Sequence, residues 1–185
     1  MRHKFAFGEH WEQRVTVLEE FLRHWRAIPR TGLVPRLRDF LDRPNPATQP
    51  WTLIFDIMAG DRLPTRLFGS MLVNLVGADL TGTDHLALFP APQRADFMAR
   101  HRRLVMQPCG MQSTARAATL KGRNLEMESM ALPLMRDDGS ACVARTIRVI
   151  SVVGQGDRMV SVVPSPPQPR WIDIGAGMPA PQDIG

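Results

Sequence analysis

Pro64 restricts what this chain can fold into more than any other residue. It stands inside Trp51–Gly82, WTLIFDIMAGDRLPTRLFGSMLVNLVGADLTG. Trp51–Met58 is rich in β-branched and aromatic residues and reads as a strand. Ala59–Asp61 supplies a turn glycine, and Arg62–Phe68 can return antiparallel as the second half of a hairpin. A proline has no N–H to give to a ladder, so within a sheet it is tolerated mainly on an edge strand. The second strand of the hairpin is therefore predicted at a sheet edge.

Upstream, Trp11, Val15, Leu18, Leu22 and Trp25 recur at alternating steps of four and three, which predicts an amphipathic helix over Glu9–Ile28. The stripe is too short for an independent coiled coil, so its cover comes from its own domain, from a twin helix of a second subunit, or from both. Pro29 stops this helix, and Leu33–Leu41 reads as a short second one. Arg43–Pro50, RPNPATQP, cannot continue a helix and separates this preface from the sheet.

Downstream of the hairpin, Ser70–Val76 reads as a short helix. A longer helix runs from about Pro92 to Met106 and ends before Pro108. Phe97, His101 and Leu104 share one of its faces, with Met98 and Val105 beside them. Three strands follow, Gly110–Leu120, Asn124–Met135 and Ala141–Val153, the last two joined by a turn at Asp137-Asp138-Gly139-Ser140. In the middle strand Glu126 and Glu128 face one way, yet Met130, Leu132 and Leu134 share their parity. Either a bulge near Ser129 switches the parity, or that end of the sheet is covered on both faces, with the N-terminal helix as the second cover. In the last strand Arg145 and Arg148 fall at opposite parity. Five strands with the helices between the second and third make an α+β order. The expected organisation is a helical cap and connector over 1–50, a core over 51–154 and a flexible tail rich in proline and glycine over 155–185, where only Trp171 and Ile172 can dock.

The run RLFGSMLVNLVGADLTG, with Arg66, Gly69, Gly77, Asp79, Thr81 and Gly82, resembles a divergent family of bacterial PAS domains. In that family the second strand ends in Arg-x-x-Gly and leads through a helix to a Gly-x-Asp-Leu-Thr-Gly loop. Its upstream Pro-x-Arg-x-Asp-Phe pattern is met here by Pro35, Asp39 and Phe40, with the arginine displaced to Arg36 or Arg38. The similarity runs from Phe21 to about Val153. It implies a PAS-like five-stranded antiparallel sheet with helices on one face, preceded by the amphipathic helix. It also implies pairing through N-terminal helices, so that Trp11, Val15, Leu18, Leu22 and Trp25 become the candidate seam of a homodimer.

The net charge of +5 comes almost wholly from arginine, since only Lys4 and Lys121 are lysines, and the arginines are scattered among acids. The densest basic cluster, Arg100–Arg103, fans out around a helix with no aromatic residues interleaved. Binding to nucleic acid is not expected. No apolar run approaches the roughly 20 residues that span a bilayer, and the N-terminus lacks a signal-peptide pattern. A cytoplasmic protein is expected, with Cys109 and Cys142 reduced. There is no phosphate-binding glycine loop, zinc spacing or nucleophile elbow, and tyrosine is absent, so no enzyme is expected.

The resemblance places a ligand pocket among Phe97, His101 and Leu104 of the long helix and the inward residues Met127 and Ile147. Arg66 either ties the loop down with Asp79 or meets an anionic ligand at the pocket rim. Haem-binding PAS proteins use a histidine where His101 lies, so His101, and after it His85, is the candidate haem ligand. A lone histidine on an apolar stripe is more often a hydrogen-bonded core residue. No output domain is visible. Two functions follow as expectations: a stand-alone sensor or adaptor that binds a small molecule or a partner protein, or a ligand-free dimerisation scaffold of the same shape.

Overall fold

A computed structural model describes residues 15–180. Helix α1 (Val15–Ala27) and the short α2 (Leu37–Leu41) lead through a 3-10 turn to the hairpin strands β1 (Thr52–Asp56) and β2 (Thr65–Phe68). Helix α3 (Ser70–Val76), a 3-10 turn at His85–Leu88 and α4 (Ala91–Met106) follow. The chain closes with β3 (Cys109–Ala118), β4 (Arg123–Met135), β5 (Ala141–Gln155) and β6 (Ser161–Asp173). All six strands form one antiparallel sheet in the order β2-β1-β5-β4-β3-β6. The strand after Pro64 is at an edge. Its start is sheathed by the following loop, where Thr65 N–H donates to Thr83 O at 2.8 Å and Gly82 N–H donates to Thr65 O at 2.7 Å.

The expectation of five strands and a flexible tail needs correction. Ser161–Asp173 pairs with β3 along most of its length, from Cys109↔Asp173 to Ala118↔Ser161. Prolines weaken an interior strand because they leave a neighbour's acceptors unanswered, but an edge strand has a neighbour on one side only. Composition that argues against a central strand is therefore compatible with an edge.

The sheet is covered on both faces. On the inner face α3, α4 and the 85–88 turn bury Leu53, Phe55, Leu72, Phe97, Met98, Leu104, Met111 and Val143. On the outer face α1 and α2 set Leu18, Phe21, Trp25, Ile28, Leu37 and Phe40 against Ile54, Met130, Leu132, Leu134 and Ala144. This resolves the parity question in β4. Its ladder irregularities lie at Asn124/Leu125 and Glu126/Met127, not near Ser129, whereas Ser129–Leu134 are buried without interruption because helices cover both sides.

The described part of the α1 stripe is therefore covered within the chain. Leu18 and Trp25 are buried, Leu22 is partly buried, and the Trp25 indole N–H donates to Pro133 O at 2.9 Å. Pro133 lies beyond Ala131, where the β3 pairing ends, so its carbonyl is free to receive the indole. Trp11 and the start of the predicted helix lie outside the described residues. Gly69 opens α3 where the chain passes so close to the preceding 3-10 turn that a Cβ would collide with the backbone oxygens of Pro50 and Gln49, the latter at 2.7 Å. Gly77 closes the helix at φ 95°, which favours glycine.

Candidate functional site

Cross-strand register lays out the inner face in rows. Met111, Ala131, Arg145 and Leu53 lie side by side, and the next row holds Ser113, Ser129 and Ile147. Leu53, Arg145 and Ile147 of these rows line a cavity of about 50 Å³. Its sheet wall includes Leu53, Ala117, Leu125, Met127, Arg145 and Ile147, and its helical wall includes Leu72, Val76, His85 and Phe89. Val162 of β6 also lines it, so the segment expected to be a tail contributes to the wall.

The polar residues are held from several directions. Asp84 accepts hydrogen bonds from Leu63 N–H at 3.0 Å and Leu86 N–H at 3.1 Å, which fixes the turn carrying His85. His85 stacks on Phe55 with ring centroids 5.0 Å apart. Arg145 is 7% exposed. Its Nε donates to Ser129 Oγ at 3.0 Å, and its Nη2 donates to Ser113 Oγ and Ser129 Oγ, both at 2.8 Å. Phe97 of α4 faces the guanidinium, 5.4 Å from the ring centroid.

Burial sets the charges. It pushes His85 down to about 3, helped by the positive charge of Arg145, so the imidazole is neutral near pH 7. His101 is lowered as well, first by burial and then by Arg145, against the opposing effect of its hydrogen bond to Phe97. Burial alone lowers Arg145, to about 10, so the guanidinium remains charged near pH 7. Among the described residues it is the one charged side chain in the cavity walls. Cys109 and Cys142 are raised by burial to about 11 and about 12, which keeps both thiols protonated. Among the described residues no cluster of three or more His, Cys, Asp or Glu could hold a metal ion.

The residues expected to form the pocket divide into three groups. Met127 and Ile147 line the cavity. Phe97, His101 and Leu104 are buried in the adjoining core and are not among its walls. His101 Nδ1 donates to Phe97 O at 2.8 Å, its ring stacks on Phe97 with centroids 4.1 Å apart, and its Nε2 is enclosed without a hydrogen-bond partner among the described residues. A porphyrin does not fit this arrangement, since the cavity is too small and His101 does not face it. Arg66 is elsewhere. Its Nε and Nη2 grip both oxygens of Asp56 at 3.1 and 2.6 Å, an ion pair across the hairpin rather than at the cavity rim. Asp79 accepts from Thr81 N–H and Oγ1–H at 2.9 and 2.7 Å, which ties its own loop.

Sequence reasoning missed Arg145 as a wall residue. The signal was available, because Arg145 shares parity with Val143, Ile147 and Val149 in an apolar strand, whereas Arg148 does not. Arg148 faces outward, where it meets Glu128 at 2.5 Å.

A family model described as PAS domain matches residues 14–147, well over half of the chain. The match takes in both helical layers and Arg145 and ends before β6. No curated protein matches the chain.

Proposed function

The chain belongs to the PAS domain family, whose members are sensory and regulatory modules, and from that premise we propose that it is a cytoplasmic sensor holding a small molecule in the inner-face cavity. The observation that supports this most is the position of the cavity. Its walls come from all six strands, α3 and the 85–88 turn, so a molecule seated there touches every strand of the sheet at once. A change of occupant alters the packing of the sheet against its inner helices, and the outer layer reads that change for a partner protein or a second copy.

The small volume of the cavity, about 50 Å³, favours a second reading in which the interior is simply filled and the domain serves as a dimerisation scaffold. Native mass spectrometry and an absorption spectrum of freshly purified full chain separate the two. The sensor reading expects a bound small molecule released on denaturation. An unloaded protein, together with an Ile147→Trp variant destabilised by overpacking, about 1–3 kcal/mol, refutes it in favour of the scaffold.

A further inference from the structure

Three arginines on the central strands or the hairpin are part of this sheet's polar structure, and two of them have carboxylates. Arg66 holds Asp56 and Arg148 holds Glu128. Arg145, the most buried of the three, has none among the described residues. Its hydrogen-bond acceptors are two neutral serine hydroxyls, and among the described residues no Asp or Glu lines its cavity. A buried cation without a counter-ion is costly.

A guanidinium has five N–H donors. Ser129 and Ser113 engage the one on Nε and both on Nη2, while Nη1 makes no hydrogen bond within the described residues. The serines thus fix the plane of the fork and leave one of its corners unengaged. We infer that Arg145 is the anion-binding residue of the cavity, and that the ligand is a monocarboxylate of formate or acetate size. The carboxylate takes the place of the missing counter-ion, and Leu53, Met127 and Ile147 enclose it on the sheet side.

The charge count selects the class. One cation with neutral histidines around it balances one negative charge. A phosphate monoester carries between one and two at neutral pH and would bring uncompensated charge into an apolar wall. Ser113 and Ser129 act as positioning residues, through Arg145.

This inference rests on the sensor reading, and its test keeps the two separable. Formate and acetate are titrated into the full-length chain beside their amides, formamide and acetamide, by calorimetry and by thermal shift. The acids are expected to bind at least about tenfold more tightly than the amides, the difference a charge-assisted hydrogen bond makes. Arg145→Met is expected to abolish that preference while the unliganded variant stays folded, with a melting temperature equal to or above that of wild type. Amides that bind as well as the acids, or a neutral molecule carried through purification, overturn the carboxylate inference and leave the sensor reading standing. Retention of the acid preference in Arg145→Met overturns the assignment to Arg145. If no probe binds and nothing is carried through purification, both readings fall. The wild-type comparison decides the ligand class even where the variant does not fold.

Discussion

Replacing Trp25 with phenylalanine tests whether the sheet of the same chain is what covers α1. Trp25 is 1% exposed and its indole N–H donates to Pro133 O at 2.9 Å. Phenylalanine keeps an aromatic ring in the site but removes the donor, so a buried carbonyl loses its partner and part of the ring's volume is left empty. The lost hydrogen bond contributes about 0.5–1.5 kcal/mol, or somewhat more if the carbonyl finds no water. The missing ring atoms add a transfer and cavity term of similar size, for about 2 kcal/mol in all. Trp25→Ala removes the whole side chain and is expected to cost about 3–5 kcal/mol. Equilibrium unfolding in urea measures both, as a lower midpoint with an unchanged slope. Each series is run at two protein concentrations a decade apart. Cover supplied by the same chain gives a loss independent of concentration, whereas cover supplied by a second subunit gives stability that falls on dilution. A Trp25→Phe protein within about 0.5 kcal/mol of wild type, or a loss that grows on dilution, would refute the reasoning.

Gly69→Ala is expected to cost at least about 2 kcal/mol in the same assay, because its Cβ meets backbone oxygens that cannot swing aside, whereas Gly32→Ala, with nothing within 4 Å, should change stability by less than about 1 kcal/mol. The folded-state pKa values of His85 and His101 lie below the unfolded value near 6.5, that of His85 at about 3, so the unfolded chain binds more protons and stability falls as pH drops through and below 6.5. Between pH 6.5 and 5 the slope from His85 should approach about 1.4 kcal/mol per pH unit, His101 should add to it in the same direction, and His85→Phe should remove its share; a flat profile in that window contradicts the burial of both rings. Thiol reagents should label Cys109 and Cys142 only on unfolding, since both are buried and protonated; rapid labelling of the native protein would contradict this.

Strong periodic signals carried the fold. The stripe on α1, the hairpin around Gly60 and the edge position after Pro64 each follow from a local rule that tertiary packing does not override. The ambiguity in β4 could not be resolved locally, because a run buried on both faces and a bulge disturb alternation in the same way. β6 was illegible because proline content reports what a strand cannot donate, not whether it has a neighbour. The cavity was legible only in part. Met127 and Ile147 follow from strand parity, and the same parity marks Arg145, although an arginine in a strand ordinarily marks the solvent face; His85 and Val162 are far away in sequence and carry no such signal. The register then adds which residues share its row, Leu53 and Ala131.

Both borders of the sheet have a further consequence. β2 is only four residues long, follows a proline and is sheathed at its start by the 82–85 loop. β6 carries Pro164, Pro166, Pro167 and Pro169, four positions with no hydrogen to offer a newcomer. A passing strand, whether from an unfolding neighbour or from another copy, finds no continuous row of donors on either flank. The sheet cannot readily grow sideways into a fibre or a shared ribbon. Two such molecules that associate must therefore meet across helices or sheet faces, where side chains rather than backbone decide which partner is accepted.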